Sequence, residues 1–268
     1  MITNATLDAC DLNDGVADRL IENPLACDFD INTLACNATT SNSSTCLTPA
    51  QLSAAKSIFA GPTRSDNGAQ LYPGFSPGSE SSWSLQQGDL ASAFSIPILQ
   101  NLVYDNLSYN ALTNFTWTSS DINAMDDRAG TYIDEISPEL SSFTNRKGKM
   151  MVTQGWADPL NAALWPIEHL EQIQAVHPTT SISDFISLFM VPGGGHCGAS
   201  PSYPDVPATY HTVPKLVRWV ERGERPEEVL STSPPDGKNR TRKLCPWPAT
   251  ARSVEGGDWE DWGSYVCE

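Results

Sequence analysis

The chain is short of positive charge: 16 Lys and Arg stand against 32 Asp and Glu, a formal net charge of -16. A field of that sign repels phosphate backbones and anionic lipid surfaces, which excludes nucleic acid and membrane surfaces as partners. Long hydrophobic runs are missing too. No stretch approaches the roughly 18 apolar residues that a membrane-spanning helix needs. Met1 to Thr6 has neither the basic start nor the apolar stretch of a secretion signal. A usable serine nucleophile is also lacking. The pattern Gly-x-Ser-x-Gly occurs as Gly74-Phe75-Ser76-Pro77-Gly78, but the oxyanion hole that accompanies this pattern uses the backbone N–H of the residue after the serine. Pro77 has no N–H, and no strand pattern leads into the segment, so Ser76 reads as a loop serine.

What is present points to a globular, oxidised protein. The 268 residues are 40% hydrophobic and 9% aromatic, enough for one large core or two smaller ones. Six Asn-x-Ser/Thr sequons occur, at Asn4, Asn37, Asn42, Asn106, Asn114 and Asn239, and with seven cysteines they predict a secreted, extracellular glycoprotein. Cys10 with Cys27, Cys36 with Cys46, and Cys245 with Cys267 lie close enough in the chain to pair locally. Cys197 is left over.

Residues 1 to about 50 read as an irregular, cross-linked segment that ends in the polar tract Thr39 to Thr45. Thr48-Pro49 then opens a helix with a capping threonine and a proline in its first turn, carried on by Leu52, Ala55, Ile58 and Phe59 and stopped by Gly61-Pro62. Leu71 to Gly74 reads as a turn or short strand, and residues 89–117 as helical but interrupted at Pro97. From Lys149 the pattern sharpens. Lys149 to Gly155 is a short buried strand, Asn161 to Val176 a helix, Ile186 to Val191 a second strand, and Thr212 to Arg222 a further helix. Strands alternating with helices imply a parallel sheet, whose functional loops lie at the carboxyl ends of the strands.

Asp158 and His196 occupy those ends, in Gly155-Trp156-Ala157-Asp158 and Gly195-His196-Cys197. Taken singly, Asp158 could cap a helix and His196 could be a turn residue. Taken together, in this order, they read as the acid and base of a hydrolase triad, in which the carboxylate orients the imidazole and the imidazole moves the nucleophile's proton. His169 and His177 read as surface residues and His211 as the head of a helix; none is assigned chemistry.

These segments resemble the tannase and feruloyl esterase family, in which the acid lies in Gly-Trp-x-Asp, the base in Gly-His-Cys, and the serine in a Gly-Cys-Ser segment that this chain lacks. The resemblance covers essentially the whole chain and implies the C-terminal portion of an α/β-hydrolase. Residues 1–145 would be a large disulfide-linked lid with a calcium loop, and residues 146–268 the end of the core, with catalytic Asp158 and His196. It further implies hydrolysis of aromatic acid esters, feruloyl or galloyl, from plant cell-wall or tannin sources. The serine would lie outside this chain, and so would the disulfide partner of Cys197. In Cys10 to Ile21 the resemblance implies structural Ca2+ held by Asp11, Asp14 and Asp18 and by the carbonyls of Val16 and Leu20, in a loop closed by Cys10–Cys27. Calcium takes six to eight hard oxygen ligands. Read alone, the same acidic residues could form a solvated turn; an EF-hand is out of register, because with Asp11 first Gly15 falls at position five rather than six. Two alternatives to the esterase stay open: a noncatalytic calcium-stabilised binding protein and one half of a split enzyme.

Overall fold

A computed structural model describes residues 1–37, 45–87, 90–233 and 238–268; the sequon at Asn42 and most of the Thr39 to Thr45 tract lie outside them. The first segment is less irregular than its composition implies. Helix α1 (Ile2–Cys10) packs Leu7 and Cys10 against Ile21, and its buried Thr6 donates to Glu80 at 3.1 Å. Disulfides Cys10–Cys27 and Cys36–Cys46 cross-link the chain beyond this helix. Helix α2 (Pro49–Ala60) begins with the expected capping threonine. Thr48 Oγ1 accepts from the Gln51 N–H while the Gln51 side chain accepts from Thr48 N–H, so two otherwise orphaned donors are satisfied. Gly61, at φ 78°, ends the helix; a Cβ there would lie 2.4 Å from the Tyr72 carbonyl.

Pro97 does not interrupt the next helical stretch. The backbone runs through Ala91–Ser95, Ile96–Ile98 and Leu99–Val103 with π-type turns on both sides of the proline. The wider i→i+5 bonding absorbs the missing N–H, which a regular α-helix would leave as a gap in its ladder. Helix α3 (Ser119–Met125) closes this region over Leu99, Val103 and Ala129. Leu71 to Gly74 forms no strand; the nearest pairing is a single bridge between Thr63 and Gln70.

The C-terminal half follows its periodicity. Strands β1 (Met150–Gly155) and β2 (Ile186–Val191) are parallel and in register from Met150 opposite Ile186 to Gly155 opposite Val191, with helix α4 (Trp165–Val176) in the crossover. A parallel pair is stable only with both faces covered. One face packs Leu188 and Met190 against Trp156, Ala163 and Ile167, and the other packs Phe189 and Val191 against Val229 and Leu244. The chain continues through a two-residue hairpin, β3 (Gly194–Gly195) and β4 (Gly198–Ala199), into β5 (Thr209–Tyr210) and helix α5 (Thr212–Arg222). Strands β6 (Val229–Thr232) and β7 (Thr241–Leu244) join β5 in an antiparallel sheet, and β8 (Ala251–Ser253) pairs β9 (Tyr265–Cys267), bound to Cys245 by the third disulfide. Among the described residues, β1 pairs with β2 alone.

His177 is buried rather than on the surface: its Nε2 accepts a 3.0 Å hydrogen bond from the Leu140 N–H, and its ring lies edge-on to Phe185. The periodicity of α4 places it just past the helix end and gives no hint that residue 140 returns to cover it.

Candidate active site

Glycines bring the two sequence segments together. β1 ends at Gly155, where a Cβ would lie 2.2 Å from the Gly194 carbonyl oxygen, so no other residue lets the end of the strand touch the hairpin. The loop after it is then fastened across the gap. Trp156 N–H donates to the Val191 carbonyl and Ala157 N–H to the Gly194 carbonyl, both at 2.9 Å. His196 and Cys197 are the two central residues of the β3–β4 hairpin, with Cys197 at φ 58°, in the left-handed region a tight hairpin turn requires.

The result is a carboxylate facing an imidazole. Asp158 is 3% exposed, and its Oδ2 lies 3.0 Å from His196 Nδ1. Its Oδ1 accepts from the Leu160 N–H at 2.8 Å and the Asn161 N–H at 3.1 Å. The helix-cap reading of Asp158 does not hold, because α4 begins after Leu164 without a side-chain cap; Oδ1 instead shapes a local turn, and Oδ2 faces the histidine. The His196 side chain is 43% exposed. When Nδ1–H is donated to Asp158, Nε2 is left as the acceptor, the tautomer in which an imidazole takes a hydroxyl proton.

Three further groups surround the pair, and sequence reasoning assigned none of them. Gln154, the last side chain of β1, donates Nε2–H to Asp158 Oδ2 at 3.1 Å. Tyr72 lies against Trp165 with ring centroids 5.6 Å apart; burial, then the charges of Asp158 and Glu168, hold its phenol above the ordinary value, although the Ala162 N–H bonds to it. Tyr210 is pushed up to about 12 by burial, then by Cys197 and Asp158. Only Gln154 carried a signal in the sequence, as a polar side chain in line with Met150 and Val152 on one strand face.

Ser76 is 2% exposed, and its Oγ has no hydrogen-bond partner among the described residues, so it does not reach His196. Cys197 is exposed and stands outside the three disulfides.

The structure brings the three aspartates of the acidic loop together, joined through the Leu20 N–H and Arg242. Asp11 Oδ1 and Asp18 Oδ1 both accept from the Leu20 N–H at 3.1 Å, and Asp14 Oδ1 accepts from the Val16 N–H at 3.0 Å. Burial, and then repulsion from Asp18, help raise Asp11 above the usual carboxylate range despite backbone hydrogen bonds that oppose the rise. The other oxygens go to a residue far along the chain. Arg242 on β7, 2% exposed, bonds Asp14 Oδ2 at 2.5 Å, Asp18 Oδ2 at 2.6 Å and Glu22 Oε2 at 2.9 Å. Burial opposes its charge, but Glu22, Asp18 and Asp14 outweigh that and hold the guanidinium firmly protonated. Three carboxylates and two carbonyls in one loop suit a hard cation in kind. Among the described residues, however, no three Asp, Glu, His or Cys side chains are arranged as a metal site, and Arg242 engages Oδ2 of both Asp14 and Asp18.

The model of the "Tannase and feruloyl esterase" family matches residues 1–268. Mono(2-hydroxyethyl) terephthalate hydrolase of Piscinibacter sakaiensis is 29% identical over all of this chain and 51% of its own length. A probable feruloyl esterase B-1 of Neosartorya fischeri is 27% identical over all of this chain and 53% of its own. Among solved structures, feruloyl esterase B from Aspergillus oryzae superposes with a TM-score of 0.86 at 25% identity, covering all of this chain and 55% of that one. Tannin acyl hydrolase from Aspergillus niger shares the fold, with a TM-score of 0.77 at 22% identity over all of this chain and 52% of that one. The chain thus spans about half the length of the relatives it matches, and it belongs to the tannase and feruloyl esterase family.

Proposed function

We propose that this chain is the acid- and base-bearing part of a secreted serine carboxylesterase acting on aromatic acid esters, feruloyl or galloyl, of plant cell-wall or tannin origin. The observation that carries the reading is the Asp158–His196 pair, 3.0 Å apart at the ends of two parallel strands. The serine comes from a segment outside this chain and attacks the ester carbonyl. His196 Nε2 takes its proton and returns it to the leaving alcohol, Asp158 holds the ring, and water then releases the acid. Family membership supports ester hydrolysis, and the names of the relatives support an aromatic acyl group. Residues 1–145 serve as lid and 146–268 as core. Asp11, Asp14, Asp18 and the carbonyls of Val16 and Leu20 would hold structural Ca2+, which would add positive charge beside carboxylates that Arg242 only partly balances.

Purified 1–268 is expected to leave methyl ferulate and methyl gallate intact. Combining it with a second polypeptide that carries a Gly-Cys-Ser segment should produce turnover that His196→Ala abolishes. Among the described residues β1 pairs with β2 alone, and an open parallel edge, where another strand adds, favours part of a larger esterase core over a noncatalytic binding protein. Hydrolysis by 1–268 alone that Ser76→Ala removes would overturn the assignment of the nucleophile.

A further inference from the structure

Gln154 stands where a strand facing the core ordinarily carries an apolar side chain. Met150, Val152 and Gln154 alternate onto one face of β1, and Val152 packs in the cluster of Leu188, Met190 and Ile167. The amide is not idle there. Its Nε2 donates to the Gly155 carbonyl and to Asp158 Oδ2, each at 3.1 Å. Both partners are acceptors, so the amide is held with its NH2 group inward, and neither hydrogen is free for anything else.

Asp158 Oδ2 thus receives two donors, Gln154 Nε2 and His196 Nδ1, as Oδ1 receives Leu160 N–H and Asn161 N–H. A buried carboxylate with both oxygens doubly bonded cannot rotate without breaking two bonds at once. Three of its four donors lie on the β1 end and the loop after it, and only the fourth is the histidine.

We infer that Gln154 is a positioning residue: it locks the Asp158 carboxylate in the plane that fixes the His196 ring with Nδ1–H donated and Nε2 bare. The inference rests on the reading of Asp158 and His196 as acid and base. It acts through Asp158 and touches no reacting atom. The neutral amide suits the task, since it divides the charge on Oδ2 without bringing a cation that would compete for the carboxylate.

The test is nitrogen NMR of histidine-labelled 1–268 at neutral pH, with the His196 signals assigned by their loss in His196→Gln. The wild type should show a protonated Nδ1, slow to exchange with solvent, and a bare Nε2. Gln154→Met, close in length and shape but without a donor, should speed Nδ1–H exchange by about tenfold or more. Gln154→Glu, which sets a second carboxylate against Oδ2, should have the larger effect. Cooperative thermal unfolding of each variant keeps a folding failure apart from a local change. If Asp158→Asn leaves the tautomer and exchange unchanged, the acid–base reading itself fails. If Asp158→Asn alters them while both Gln154 variants leave them as in the wild type, the acid–base reading stands and the role of Gln154 is overturned.

Discussion

Two buried carboxylate clusters in this molecule face a basic side chain, and they are built to opposite ends. Asp158 meets His196, whose side chain is 43% exposed, whereas Asp14, Asp18 and Glu22 meet Arg242, which is 2% exposed. The first pair joins segments 38 residues apart and leaves one nitrogen of the base open to the outside. The second joins segments more than 200 residues apart and closes over both partners. A carboxylate–imidazole pair that is to do chemistry keeps its base accessible; an ion pair that ties the N-terminal loop to β7 does not need to. Arg242 also lies over the Tyr265 ring, 4.9 Å from its centroid, so its flat face is covered by an aromatic while its edge is bonded.

The sharpest way to break this comparison is to remove each base in turn. Arg242→Met should destabilise the protein by about 3–5 kcal/mol, because three buried carboxylates lose their common partner. At about 2–4 °C for each kcal/mol in a chain of this size, the midpoint of thermal unfolding should fall by roughly 6–20 °C. His196→Ala should cost no more than about 1 kcal/mol, since Asp158 keeps its three other donors and the lost ring is half in water. Equal losses in the two variants would show that the clusters do not differ as described. Next in size is the Cys10–Cys27 bridge, which spans 17 residues around the acidic loop. Replacing both cysteines by Ala should cost about 3 kcal/mol, measured by urea unfolding, on the chain-entropy account.

The same contrast governs what could be read from the sequence. The Asp158–His196 pair was legible because both residues come just after short apolar runs, β1 and β2, whose parallel pairing brings their ends together whatever lies elsewhere. Helix α2 was legible through Thr48, Pro49 and Gly61, and α5 through its spacing of Val213, Leu216, Val217 and Val220. Helix α1 was not, because Met1 supplies no side-chain cap and the buried residues Thr6, Leu7 and Cys10 do not stand out from their polar neighbours. Arg242 was invisible for a stronger reason: no local pattern marks a cation whose partners lie at Asp14, Asp18 and Glu22. The burial of His177 likewise depends on Leu140, 37 residues away.

Glu80 offers a smaller and pH-dependent test. It is 9% exposed, with Oε1 accepting from the Gly78 N–H and Thr6 while Oε2 has no partner among the described residues. Burial raises its carboxyl above the ordinary value for a glutamate, against the pull of those hydrogen bonds. An acid raised in the folded state binds its proton more tightly there than when unfolded. The stability it contributes is therefore whole below the unfolded value and is lost as pH rises through the folded one. Relative to Glu80→Gln, whose side chain does not titrate, the wild type should lose melting temperature as the pH is raised above about 4.5, the ordinary glutamate value. A constant difference across that range would mean that Glu80 is not strained by its charge.

The smallest effect is expected at Ser76, and its sign is the informative part. A serine acting as nucleophile would be held by a base, and its removal would end turnover. Ser76 Oγ is instead buried without a partner among the described residues, next to a proline that offers no N–H to a developing oxyanion. An unsatisfied buried hydroxyl carries a desolvation cost that an alanine methyl does not. Ser76→Ala should therefore be neutral or more stable by up to about 1 kcal/mol, read as an unchanged or slightly higher midpoint in urea. It should leave the hydrolysis by a complemented enzyme as it was. A loss of stability of about 1 kcal/mol or more would show that the hydroxyl has a partner, and Ser76 would then belong with Asp158 among the side chains placed for a purpose rather than with the loop that carries it.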